Sequence, residues 1–252
     1  MNVSAVKHLR DNGAYFDQRV DLACAFRWTV KLNMHESVAN HFSLAVNDEG
    51  TKFLLNPNGA HFSRIRASDL ILIDANDPTT MDQPNAPERT AWGLHGAIHR
   101  NCPQARCVLH AHSKYATALA CLADSSMPPI DQNTARFFNR IVIDEGYDGM
   151  ALEEEGERCS RLLGDKKVMV MCHHGVLVTG ETVADAFDGL YYFERAAETL
   201  LTAYMTGRPL RVLSDEVAEK TARQWEEFND LGEHHFRELR TLLDQEAPDY
   251  RT

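Results

Sequence analysis

The 252-residue chain lacks the marks of several large protein classes. No apolar run approaches the roughly 20 residues a helix needs to cross a bilayer, and no basic flank leads into an apolar stretch near Met1, so neither a membrane span nor a secretory leader is expected. Positive charge is in deficit: 26 Lys and Arg face 37 Asp and Glu, for a formal net charge of -11. That balance argues against nucleic acid or an anionic membrane as partner, while leaving room for a local basic pocket. There is no C-x-x-C pair. Cys24, Cys102, Cys107, Cys121, Cys159 and Cys172 are scattered through a chain too large to need disulfide staples, so reduced, mostly buried thiols and a cytoplasmic setting are expected. Nor does any repeat, low-complexity tract or linker divide the chain.

What is present is the pattern of a globular domain. Apolar runs of strand type fall at 42–46, 52–56, 70–74, 106–110, 140–144, 167–172 and 176–178. Helical periodicity covers 21–34, 90–100, 113–121, 151–163 and 182–206, and a charged helix is expected over 215–246. Ser113 is placed to cap the helix that follows it. Strands interspersed with helices predict an α/β fold of three layers, α/β/α, around a central sheet. The strands at 42–56 are joined too closely for a parallel crossover, so the sheet should be mixed.

The chemistry-bearing stretch is Cys107-Val108-Leu109-His110-Ala111-His112. Residues i and i+2 of a strand point to the same side, so both imidazoles can converge on one point. Neutral imidazole is the commonest protein ligand for transition metals. His173-His174-Gly175, about sixty residues on, offers a third nitrogen, the number that leaves a metal an open position. Strand alternation turns Cys172 away from His173 and into the core.

Several ordered elements together resemble the class II aldolase/adducin family over about Val20 to Thr206: Ala39-Asn40-His41-Phe42-Ser43, Asn56-Pro57-Asn58-Gly59, Ala67-Ser68-Asp69-Leu70, Leu94-His95-Gly96-Ala97-Ile98-His99-Arg100, the His110/His112 stretch, Tyr147-Asp148-Gly149 and His173-His174-Gly175-Val176-Leu177-Val178-Thr179-Gly180. The resemblance implies a single domain over 1–252, with its core at about 20–206 and a C-terminal helical extension over 207–252, around a largely antiparallel sheet. It implies one divalent metal per subunit, zinc first and manganese or iron as alternatives, held by His110, His112 and His174. His173 is expected outside that set.

Family loops that hold a small anionic substrate, phosphate or carboxylate, fall at Asn40, Asn58, Gly59, Arg89 and Thr90. Here Arg89-Thr90 replaces the usual hydroxyl pair, and the arginine fork suits either anion. Family aldolases carry a Glu four residues before His95, where this chain has Ala91, and a methyl group cannot act as an acid. Glu88 is a weak substitute by position. His95 is expected to face the site as a proton-transfer group, and His99 to be structural. Asp131, Gln132 and Tyr147 sit where relatives bring residues near a neighbouring subunit's site.

The implied activity is a metal-dependent lyase working through a metal-stabilised enolate, by decarboxylation or aldolase-type cleavage. The alternatives are an adducin-like binding module without catalysis, or a sugar-phosphate epimerase or dehydratase. A homotetramer with sites at subunit interfaces is expected, the apolar face of 182–206 supplying the contact.

Overall fold

The computed structural model describes residues 14–77, 79–83, 86–149, 153–228 and 230–252. Seven strands form one sheet: β1 (His41–Ala45), β2 (Lys52–Leu55), β3 (Ile71–Asp74), β4 (Cys107–Ala111), β5 (Ile141–Asp144), β6 (Val168–Met171) and β7 (Gly175–Gly180). Their order is β3-β2-β1-β4-β7-β6-β5. Every neighbouring pair is antiparallel except β5 and β6. The mixed, largely antiparallel α/β fold expected from the sequence is therefore observed.

Strand alternation sorts the side chains between two helical layers. Cys107, Leu109 and Ala111 of β4, Val168 and Val170 of β6, and Val176 and Val178 of β7 join the larger core. That core is covered by α1 (Phe16–Lys31), α3 (Lys114–Ala120), α6 (Val183–Met205) and α8 (Asp230–Glu246). Val108, Met169, Met171 and Leu177 point the other way, against α2 (Arg89–Asn101) and α5 (Glu153–Leu163). The site histidines lie on this second face. Close packing of its two helices depends on Gly156, where an added Cβ would stand 2.2 Å from the Gly93 carbonyl oxygen.

Four expectations are corrected. The first helix runs over Phe16–Lys31, because Asn33 adopts a left-handed φ of 56° and ends it before residue 34. The charged helix over 215–246 is two helices, α7 (Asp215–Glu227) and α8, broken at Phe228. α7 packs on a short helix α4 (Gln132–Arg136), with Trp225 Nε1 donating to the Gln132 carbonyl at 3.2 Å. The apolar face of α6 is spent inside its own chain, since Phe187, Leu190, Phe193 and Leu200 are all buried there. Ser113 occupies the N-cap position of α3 but caps nothing: its hydroxyl donates to Glu194, and that carboxylate takes the Tyr115 and Ala116 N–H groups instead. Among the described residues no helix is long and apolar enough to cross a membrane.

Candidate metal centre

The register of β1 against β4 places His41 opposite His110, so both imidazoles project from the same face of the sheet. His112 follows at the end of β4, and His174 sits in the turn between β6 and β7. The rings of His110, His112 and His174 converge, with centroids 4.7 to 4.9 Å apart. One ring nitrogen from each lies within 4.8 Å of the other two. Gly175 allows the approach, because a Cβ there would lie 2.6 Å from the Ala111 oxygen and 3.0 Å from His112 Cδ2.

Second contacts fix where the protons are. His110 Nδ1 meets the Val176 carbonyl at 3.1 Å, and His112 Nδ1 meets Glu36 Oε2 at 2.6 Å. Both partners are acceptors, so both rings carry a proton on Nδ1, which leaves Nε2 as the atom each turns toward the centre. Those two Nε2 atoms are 3.0 Å apart. So short a separation places a shared cation, a proton or a metal ion, between them. His174 Nδ1 is buried without a partner. Burial holds the His110 imidazolium well below the usual histidine range and lowers His174 to about 4, so both stay neutral near pH 7. Three convergent imidazoles, one with an orphaned nitrogen, fit a divalent transition metal with an open coordination position.

The anticipated anion-binding residues are only partly brought together. Asn40 is buried beside the centre: its Oδ1 accepts from the Glu36 N–H at 2.7 Å, and its Nδ2 has no partner. Asn58 and Gly59 form an exposed loop tip. That loop is tied to the Glu36 segment by His61 and His35, whose Nε2 atoms are 3.1 Å apart. Arg89 is exposed on the first turn of α2. Thr90 is occupied locally, its hydroxyl donating to Glu88. Glu88 itself caps α2 by accepting from Ala91 N–H at 2.9 Å, which excludes it as the replacement acid in this conformation.

His95 does not line the centre. It is fully buried and hydrogen-bonded to His41 and Ser43, so His41 stands between it and the three-histidine cluster. His99 is buried and bonded to the Ala105 carbonyl, as a structural role requires. His173 is an exposed turn residue with φ 61°, and its N–H donates to the Ala120 carbonyl. Cys172 is half-buried in the same turn, 3.8 Å from Ser125 Oγ, because β6 ends one residue earlier. Asp131 caps α4, and Gln132 is engaged with Trp225. Tyr147 is exposed, with its ring 6.3 Å from that of His174.

Glu36 and His41 escaped the sequence reading as site residues. His41 alternates with Ser43 on a strand next to the metal strand, which was a readable signal. Glu36 had none, since it lies 76 residues from His112 in a loop. In a second close group, Asp144, Glu155 and Cys159, both carboxylates are ion-paired with Arg158 and the Cys159 thiol donates to Asp144. A cavity of about 680 Å³ lies elsewhere, between α4, α6, α7 and the far end of β7, and contains none of the site histidines.

The class II aldolase and adducin N-terminal domain family matches residues 20–201. The chain belongs to that family. PA3430 of Pseudomonas aeruginosa, named for class 2 aldolases, is 31% identical over 79% of this chain and 76% of its own. The decarboxylase NovR of Streptomyces niveus is 27% identical, covering 84% of this chain and 74% of NovR. A crystal structure of an aldolase II superfamily protein from Pseudomonas syringae superposes with a TM-score of 0.86 at 30% identity, over 97% of this chain and 99% of that one. Beta-adducin of Homo sapiens is 28% identical over 84% of this chain and 31% of its own length, and an L-fuculose 1-phosphate aldolase from Glaciozyma antarctica, at 19% identity and a TM-score of 0.80, shares the fold over 94% of this chain and 92% of that one.

Proposed function

We propose that this class II aldolase-family chain is a divalent-metal-dependent lyase for a small anionic substrate carrying a carbonyl and an adjacent oxygen. The observation that carries the reading is the convergence of one ring nitrogen each from His110, His112 and His174, with the Nε2 atoms of His110 and His112 lying 3.0 Å apart. Zinc suits the all-imidazole set best, with manganese or iron as alternatives. Bound there, the ion supplies Lewis-acid stabilisation of negative charge developing beside a carbonyl.

The chain's own groups do the rest. Glu36 and the Val176 carbonyl hold two imidazoles in the ligating tautomer. Asn40 Nδ2, a buried donor without a partner, is available to a substrate oxygen. Arg89, on an exposed helix start, would reach an anionic end only from the outer side. Ala91 lies buried among Ala45, Phe53 and Leu55, and no carboxylate stands in its place. Decarboxylation suits this site better than aldol cleavage, because loss of carbon dioxide creates the carbanion without a base removing a proton. The name of NovR agrees with that direction.

A second reading, an adducin-like module without catalysis, is favoured only by Ala91. Metal analysis separates the two. Protein purified without chelator is expected to hold close to one equivalent of divalent metal per chain and to lose it in His110→Ala. Less than about a tenth of an equivalent would contradict the lyase. A screen of 2-oxo, 3-oxo and hydroxy acids and sugar phosphates with the loaded protein then identifies the reaction, epimerisation and dehydration included.

We further propose one domain per chain, a cytoplasmic setting that keeps the six free thiols reduced, and a homotetramer. With the face of α6 buried internally, Met205, Val212 and Phe228 are among the exposed apolar side chains open to such contacts. A monomeric mass at micromolar concentration would contradict the tetramer.

A further inference from the structure

Beside the centre, β1 and α2 enclose a chain of hydrogen bonds between buried polar groups. It begins at the Ala105 carbonyl, which meets His99 Nδ1 at 3.0 Å. His99 Nε2 meets Ser43 Oγ at 2.7 Å, Ser43 Oγ meets His95 Nδ1 at 2.5 Å, and His95 Nε2 meets His41 Nδ1 at 2.7 Å. All three imidazoles are buried and none is hydrogen-bonded to a carboxylate, so the cost of burying a charge keeps them neutral.

The direction of every bond then follows from one group. A carbonyl only accepts, so His99 carries its proton on Nδ1 and its Nε2 must accept. Ser43 therefore donates its single hydroxyl proton to His99. With that proton spent, Ser43 Oγ accepts from His95 Nδ1–H. His95 Nε2, now bare, accepts from His41 Nδ1–H. The chain ends on an unprotonated His41 Nε2.

The two nitrogens of an imidazole lie toward nearly opposite edges of the ring, so Nε2 faces away from His95. The His41 ring stacks on that of His110 with centroids 4.8 Å apart. Among the described residues nothing hydrogen-bonds to His41 Nε2, and it is not one of the fully enclosed unpartnered nitrogens. A bare acceptor beside these three imidazoles can receive a hydrogen bond from a ligand held at the centre.

We infer that His41 Nε2 is a fixed hydrogen-bond acceptor of the centre, selecting ligands that chelate through a hydroxyl, such as 2-hydroxy carboxylates and hydroxy ketones, over the corresponding ethers. His95, Ser43 and His99 are positioning residues, acting only by fixing the tautomer of His41. The ligand class rests on the metal reading above, whereas the tautomer rests on the hydrogen-bond chain alone.

Solid-state nitrogen-15 NMR of histidine-labelled protein, metal-free and zinc-loaded, reads the tautomer directly, with His41→Phe assigning the resonance by difference. The expected result is a proton on Nδ1 and none on Nε2 of His41 in both forms. Ser43→Ala, which cuts the chain between His99 and His95, should give mixed tautomers at His41 with unchanged zinc stoichiometry. Calorimetry of zinc-loaded protein with glycolate and methoxyacetate reads the selectivity. The preference for glycolate should fall roughly fivefold to tenfold in His41→Phe, the loss of about one hydrogen bond. A proton on His41 Nε2 would overturn the inference, as would equal selectivity in wild type and His41→Phe. Should His41→Phe fail to fold, His41→Gln can assign the resonance and the wild-type spectrum still decides the tautomer. A protein that binds no zinc would overturn the metal reading and the ligand class with it, while the metal-free spectrum judges the tautomer separately.

Discussion

At the scale of single residues, the centre depends on groups that touch the imidazoles from behind. Glu36 Oε2, 2.6 Å from His112 Nδ1, orients that ring as a ligand. Glu36→Gln is therefore expected to weaken zinc binding by roughly tenfold to a hundredfold in a chelator competition, since such partners typically contribute that much. An unchanged affinity would show the contact to be incidental. The convergence of His110 with His112 was legible from strand alternation, whereas the choice of His174 beside them came only from the family motifs. Glu36 was not, because its role exists only once a distant loop folds over the strand end. His95 is expected from sequence to face the site as a proton-transfer group, and its separation from the centre by His41 was not legible because it depends on the β1 to β4 register. Arg89 and Thr90 were legible as positions in a loop, while the use of Thr90 by its own helix cap required the local geometry.

At the scale of elements, the strands and most helices followed from periodicity and punctuation, and the mixed sheet from the short connection between β1 and β2. Two features did not. The break at Phe228 is hidden because charge alternates on both sides of it, and only packing on α4 and on α6 separates α7 from α8. The apolar face of α6 is equally suited to its own sheet and to a neighbour, a choice that sequence pattern leaves open. The α2 to α5 contact carries its own prediction. Gly156→Ala forces a methyl against the Gly93 carbonyl at 2.2 Å and should destabilise the fold by about 1–3 kcal/mol, the usual cost of overpacking. Denaturant unfolding measures this, and a midpoint equal to wild type would show that the helices can separate freely.

For the whole molecule, the buried neutral histidines set the response to acid. Burial lowers His41 and His99 to about 3, so between the unfolded value near 6.5 and that level the unfolded chain takes up protons the folded one refuses. Their contribution is fully present above about pH 6.5 and is lost as pH falls, by at most ~1.4 kcal/mol per pH unit for each group. Asp21, raised to about 6 by burial, acts in the opposite sense as one group against several. Metal-free protein should accordingly be less stable to denaturant at pH 5 than at pH 7.5, and equal stability would contradict neutral burial of these rings.

The central claim is that three imidazoles hold one metal and leave a position open. X-ray absorption at the zinc edge of the loaded protein tests it most directly. Three imidazole nitrogens at about 2.0–2.1 Å with a light-atom fourth ligand is the predicted result. A sulfur shell near ~2.3 Å, or fewer than three imidazoles around the ion, would contradict the account.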